Sequence, residues 1–192
     1  MKLYIIWIFL LVGASRAYSI PDSATVAYVS ACAPFAVLVH QETGVPASVI
    51  LAQGILESNR GRSFLARTAN NHFGIKCSVR CKKKGHCVPR PEQGIVARYL
   101  AFESAEVAFC RLARILTSNR YACFVGRFGC DYEKWCDGLQ AAGYATDKKY
   151  AWKLKKIIRR YGLDKYDKNG TKQGAHQKEW TAGLPIRLLL SR

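Results

Sequence analysis

Residues 45–63, Val-Pro-Ala-Ser-Val-Ile-Leu-Ala-Gln-Gly-Ile-Leu-Glu-Ser-Asn-Arg-Gly-Arg-Ser, constrain the fold more than any other stretch of the 192-residue chain. Pro46 suits the opening of a helix, where its missing N–H leaves no bond unmade. At roughly 100° per residue, Val49, Ile50, Leu51, Ala52, Ile55 and Leu56 point in nearly every direction. A helix that is apolar all round is a buried one, so other elements must wrap it. Glu57 closes this helix, almost over Ile50 and one turn beyond Gln53. A carboxylate there is costly unless it is paired or opens into a cleft.

The remaining elements supply the wrapping. Ala24 to Glu42 reads as helical, broken by Pro34, which can open a second helix, and ended by Gly44. From Cys77 to Phe102 the helical period is lost. Pro89, Pro91 and Gly94 punctuate this segment, and Ile95–Tyr99 reads as a short strand in a small β-rich lobe. Ser104 can cap a helix carrying Val107, Cys110, Leu112, Ile115 and Leu116. Asp131 can cap one carrying Trp135, Cys136 and Leu139, stopped by Gly143. Asp147 can cap the last, with Tyr150, Leu154, Ile157, Ile158 and Tyr161 inward and Lys and Arg outward. The fold class is mainly α with a small β lobe. The expected organisation is a leader at 1–17, one domain at 18–163 and a basic extension at 164–192.

The leader rests on Lys2, an uninterrupted apolar run from Leu3 to Ala14, and Ser15-Arg16-Ala17. That is a positive start, a core of secretory length and a small-residue cleavage site, and it is shorter than the ~20 residues a spanning helix needs. The chain is therefore expected to be exported, to the periplasm or the cell exterior, with no stable membrane insertion after cleavage. Export makes disulfides the default for the eight cysteines. A zinc site at Cys77, Cys81, Cys87 and His86 is the weaker alternative, because the spacings miss the usual paired pattern. No metal or cofactor is expected.

A formal net charge of +17 calls for a polyanionic partner. DNA, anionic lipid and bacterial cell wall all qualify on charge alone. No recognisable RNA- or DNA-binding pattern accompanies it, so nucleic acid is disfavoured. Chemistry points elsewhere. A glutamic acid in an apolar pocket has its pKa raised and can protonate a leaving oxygen at neutral pH, the lysozyme solution to glycoside cleavage. The plainer role for Glu57 is an ion pair with Arg60, Arg62 or Lys76.

The segment from Val45 through Glu57-Ser58-x-x-Gly61-x-Ser63 closely resembles the signature of the bacterial peptidoglycan N-acetylglucosaminidases, glycoside hydrolase family 73, with its mannosyl-glycoprotein endo-β-N-acetylglucosaminidase-like domain. Ala69-Asn-Asn-His-Phe-Gly-Ile-Lys76 and Gly138-Leu-Gln-Ala-Ala-Gly-Tyr-Ala-Thr-Asp-Lys-Lys-Tyr-Ala151 resemble the next two family blocks, in family order. The likeness covers about residues 25–163. It implies a lysozyme-like α+β fold with the cleft between its lobes, and cleavage of the β-1,4 bond after N-acetylglucosamine in glycan strands by a monomeric enzyme. Glu57 matches the catalytic acid. Asn71, Phe73 and Lys76 match the loop under the sugar-binding groove, and Tyr144 matches a tyrosine facing the acid. For Asn71 and Phe73 a capped turn and a core aromatic are equally open readings.

The chain departs from the family pattern in the β lobe. Members usually carry a second acid and a Phe-Arg-x-Tyr strand there, and this chain has Tyr99-Leu-Ala-Phe102. Glu92 is the sole carboxylate between Gly61 and Phe102. It either activates water as a second catalytic carboxylate or is a solvated hairpin acid. In the latter case the substrate's acetamido group is the nucleophile, with Tyr144 helping. A lytic transglycosylase, using one similar Glu, and a non-catalytic cationic wall-binding protein are the alternatives of other kinds.

Overall fold

The computed structural model describes residues 22–78, 86–92 and 94–168. The expected leader at 1–17, Cys81, Lys82-Lys83-Lys84 and the tail beyond Lys168 lie outside the described residues. Helix α1 spans Ser23–Thr43, α2 Ala47–Glu57 and α3 Phe64–Ala69, followed by strands β1 (Cys87–Glu92) and β2 (Ile95–Leu100). Then come α4 (Ala105–Leu116), a 3-10 turn at Asn119–Tyr121, α5 (Phe124–Phe128), α6 (Tyr132–Ala141), α7 (Tyr150–Tyr161) and the short α8 (Lys165–Lys168).

Helix α2 is the axis of the molecule. Every residue from Ala47 to Ile55 is buried, as the all-round apolar pattern requires. It packs on α1, α4, α6, α7 and α8. The approach to α1 is close because Gly54 has no side chain: a Cβ there would stand 2.5 Å from the Tyr28 hydroxyl. Around this axis, Trp135 and Phe109 are fully buried and anchor the packing of α6 and α4. The Trp135 ring packs edge-on against Phe124, and its Nε1 donates to Gly129 O at 2.8 Å. Ser104 and Asp131 cap α4 and α6 through their side-chain oxygens, as expected.

Pro34 does not divide the first helix, which runs unbroken through it. The carbonyl that a proline leaves without its helical donor is that of Ser30, and both residues lie on the exposed face. Buried Val29, Cys32, Ala33 and Ala36 hold the helix on either side of it. Although α1 is long and apolar enough to cross a membrane by length and composition, its inner face is spent on the core.

The β lobe is one antiparallel hairpin, with Cys87 opposite Leu100 and Glu92 opposite Ile95. The punctuating prolines lie inside β1. Pro89 and Pro91 are two residues apart, so their missing N–H groups share one edge, and a two-stranded sheet has a free edge to give them. Residues 75–77 run along the other side of β2, through Cys77 N to Arg98 O (2.9 Å) and Leu100 N to Ile75 O (2.9 Å). The Cys77–Cys87 disulfide ties this segment to β1. Two of the three clustered sulfurs are thereby used in a covalent bond. Among the described residues the expected disulfides are met at this pair alone: Cys32, Cys110 and Cys136 are buried thiols and Cys123 and Cys130 exposed ones.

The packed body also continues past residue 163. Leu163 is fully buried and Tyr166 packs on the core. Asp167 accepts from Ser48 N at 2.8 Å and Ser48 Oγ at 2.6 Å. Pro46 provides no side-chain cap for α2, so a residue from the far end of the chain does.

Candidate active site

The site begins where α2 stops. Ser58, fully buried, donates to Gly54 O at 2.5 Å and accepts from Gly61 N at 2.6 Å. Its carbonyl accepts from Ser63 N at 2.8 Å. Between these bonds Asn59, Arg60 and Gly61 all take left-handed backbone, with φ of 49°, 60° and 74°. Three such residues in succession turn the chain sharply away, which leaves Glu57 as the last side chain of the helix, on the solvent side. Ser63 then caps α3.

Beneath Glu57 lies a tyrosine floor. Gln53, one turn earlier and fully buried, donates from Nε2 to the Tyr150 hydroxyl at 3.0 Å. That hydroxyl makes a hydrogen-bond interaction with the Glu57 carboxyl. The Tyr144 ring stacks on Tyr150 with centroids 5.5 Å apart, and Tyr121 flanks Tyr144 at 5.9 Å. Lys153, held by Asp147 at 2.5 Å, supplies positive charge nearby.

Glu57 is open to solvent on one side, yet the protein crowding its carboxyl raises its pKa above the ordinary glutamate range. The Tyr150 hydroxyl and the Lys153 ammonium act in the opposite sense. Burial likewise raises the Tyr144 and Tyr150 hydroxyls, with the Glu57 charge contributing in each case, so both are held as neutral donors.

The loop carrying Tyr144 is fastened at both ends. Arg120 Nη1 donates to Ala142 O at 2.7 Å, Tyr144 N to Leu139 O at 2.9 Å, and Ala151 N to Gln140 Oε1 at 2.9 Å. Tyr144 is half-buried.

The other residues singled out from the sequence fall elsewhere. Asn71 is 1% exposed and spends its side chain on backbone. Nδ2 donates to Ile75 O (3.0 Å) and Leu100 O (2.8 Å), and Oδ1 accepts from Ile75 N (3.0 Å). Phe73 is buried edge-on against Phe109 at 4.9 Å. These are the contacts of a capped turn and a core aromatic, and they fasten the loop from within. Lys76 is exposed and stands 3.8 Å from Glu92 and 5.8 Å from the Tyr99 ring. Glu92 also accepts a short hydrogen bond from the Tyr99 hydroxyl, so it is bound into the hairpin from two sides.

Tyr150, Gln53 and Lys153 were not singled out as site residues by sequence. Tyr150 sits on the apolar stripe of its helix and reads as core. Gln53 had a signal in its spacing, one turn before Glu57 on the same side of an otherwise largely apolar helix.

A crowded carboxylic acid at the end of a buried helix, floored by neutral tyrosines in a mainly helical fold with a β hairpin, is the arrangement of a lysozyme-like glycoside hydrolase. A family profile described as mannosyl-glycoprotein endo-beta-N-acetylglucosaminidase matches residues 33–163, and the chain belongs to this glucosaminidase family. It is 32% identical over 152 residues to the exo-glucosaminidase LytG of Bacillus subtilis (strain 168), covering 73% of this chain and 52% of LytG. It is 33% identical over 132 residues to the peptidoglycan hydrolase FlgJ of Escherichia coli (strain K12), covering 63% of this chain and 42% of FlgJ. The chain thus spans about half the length of these relatives. Among solved structures, a peptidoglycan hydrolase from Sphingomonas sp. A1 aligns with a TM-score of 0.62 at 31% identity, covering 79% of this chain and 99% of that one. The glycoside hydrolase domain of Salmonella typhimurium FlgJ aligns with a TM-score of 0.61 at 29% identity, covering 77% and 94%. The expected lysozyme-like fold class and family are therefore correct.

Proposed function

We propose that this protein hydrolyses the β-1,4 glycosidic bond after N-acetylglucosamine in peptidoglycan strands, with Glu57 as the general acid. The observation that carries this reading is the placement of Glu57: solvent-facing at the end of a buried helix, with its carboxyl crowded toward the neutral form. The family membership and the names of its relatives support the substrate class. The protonated carboxyl donates to the departing glycosidic oxygen as the bond to the anomeric carbon breaks. The nucleophile at that carbon is the substrate's own acetamido oxygen, and water then opens the resulting ring. Two observations favour this route over a second carboxylate. Glu92 is engaged by Tyr99 and Lys76, whereas Tyr144 lies in the aromatic group beneath the acid. The relatives' names and the apolar leader in the sequence support an exported enzyme acting in the periplasm or cell wall. Residues 164–168 belong to that catalytic body, and the basic sequence from 169 to 192 is read as an extension of it.

Mass spectrometry of digested peptidoglycan tests the assignment. Glu57→Gln, isosteric but unable to donate an acidic proton, should lose at least ~10²–10⁴-fold in rate while keeping its fold. Reducing ends should appear on N-acetylglucosamine. Anhydro-muramic ends would make the enzyme a transglycosylase, and full activity in the variant would remove Glu57 from the chemistry. Tyr144→Phe should lower turnover more than KM, and Glu92→Gln should leave the rate unchanged. The reverse pattern would support a two-carboxylate inversion.

A further inference from the structure

We infer that the pocket between the C-terminal end of α2 and α7 binds the free carboxylate of the peptide arm that peptidoglycan carries on the sugar beside the scissile bond. This rests on the glycan reading above. The cavity measures about 460 Å³, and Leu56, Arg60, Lys156, Ile157, Arg160 and Tyr161 line it. That size takes a short peptide segment and not a folded partner.

Three cations border this space, Arg60, Lys156 and Arg160, and the two on α7 are bonded differently from the other basic side chains of that helix. Lys153, Lys155 and Arg159 are each paired with a carboxylate, at 2.5, 2.7 and 2.7 Å. Lys156 and Arg160 have no carboxylate partner among the described residues. Their contacts are aromatic: the Lys156 ammonium lies 4.8 Å from the Trp152 ring centre, and the Arg160 guanidinium 5.6 Å from that of Tyr161. Arg60 is positioned by bonds from Nε to Thr25 Oγ1 and from Nη1 to Asn59 Oδ1, each 2.8 Å. The one carboxylate near it, Asp22, lies 3.5 Å from Nε and also accepts from Thr25 and Tyr161.

The lining states what the anion must be attached to. Ile55, Leu56 and Ile157 put aliphatic surface beside the cations, which suits a carboxylate on an amino-acid chain better than the hydroxyl-rich backbone of a polyol phosphate. Position supplies the second argument. Helix α7 carries Tyr150 and Lys153 at the acid, and Lys156 and Arg160 follow Lys153 by about 5 and 10 Å along the axis. A substituent on the sugar next to the cut reaches that far, whereas the glycan backbone itself stays over Glu57.

The test compares two ligands on one protein. Calorimetry on Glu57→Gln should find a peptide-bearing disaccharide binding on the order of tenfold more tightly than the same disaccharide without its peptide. Adding Lys156→Met with Arg160→Met should erase that difference, and Lys156→Arg with Arg160→Lys should keep it. In the otherwise wild-type chain, the Met pair should raise KM on peptide-bearing glycan by a similar factor and leave cleavage of peptide-free glycan unchanged. Equal binding of the two disaccharides, or an equal loss on both glycans, would overturn the proposal. So would poly(glycerol phosphate) displacing the peptide-bearing ligand at equal concentration, which would make this a phosphate-polymer site. If the wild-type chain cleaves neither glycan, the catalytic reading fails, and the calorimetric comparison still decides the pocket.

Discussion

Crowding around Glu57 favours its neutral acid, and the Tyr150 hydroxyl and Lys153 ammonium favour its anion. The working proton is held by the balance between them. Removing the hydroxyl in Tyr150→Phe withdraws an interaction that favours the charged form, so the Glu57 pKa should rise further. A general acid must be protonated to act, so its rate is lost as pH rises through that pKa. The alkaline limb of the pH profile of kcat/KM should therefore move to higher pH in Tyr150→Phe, and in the same direction in Lys153→Met. A limb that stays in place or moves down would show that another group carries the titration. Little of this was legible in the sequence. Glu57 announced itself by standing at the end of an apolar helix, but Tyr150 shares its spacing with Leu154 and Ile158 and differs from them only in where its hydroxyl ends up.

The helix that carries the acid depends on a residue outside the segment matched by the family. Ser48 N is one of the donors left unpaired at the start of α2, and Asp167 satisfies it across 119 residues of sequence. Asp167→Ala should cost ~1 kcal/mol, as losses of helix caps do, and lower the melting temperature by roughly 2–4 °C in a chain of this size. A thermal melt monitored by circular dichroism checks it; an unchanged midpoint would mean that solvent replaces the cap without loss. The caps at Ser104 and Asp131 were readable because donor and acceptor lie within one turn. The cap on α2 was not, because its two halves meet only when α8 folds back. Pro34 teaches the same lesson in reverse. Local rules break the helix there, and burial on both sides of the proline keeps it whole.

Residues 18–163 carry 22 Lys and Arg against 10 Asp and Glu, so the excess charge belongs to the catalytic body and not to the tail alone. As a field it should draw the protein to the carboxylates of the wall over distances set by screening, ~10 Å at 0.1 M salt and ~3 Å at 1 M. Binding to purified cell wall, measured by co-sedimentation, should fall steeply across that range. Cleavage of a short neutral glycan should barely respond. Salt-independent wall binding would show that the groove holds the substrate without help from net charge.

The apolar run of α2, the glutamate that ends it, the turn built on Ser58 and Gly61, and the small hairpin lobe were all determined by the sequence itself. Each depends on contacts within a few residues, so period, caps and turn chemistry are enough to specify it. Tertiary structure alone decided which tyrosine meets the acid, which cysteines pair, that Asn71 looks inward, and which basic side chains of α7 have no carboxylate partner among the described residues. Those outcomes depend on groups far apart in the chain arriving at one place. A local pattern records the chemistry of each group but not its neighbour, and it is the neighbour that sets a pKa, uses up a hydrogen bond or leaves a charge free for a ligand.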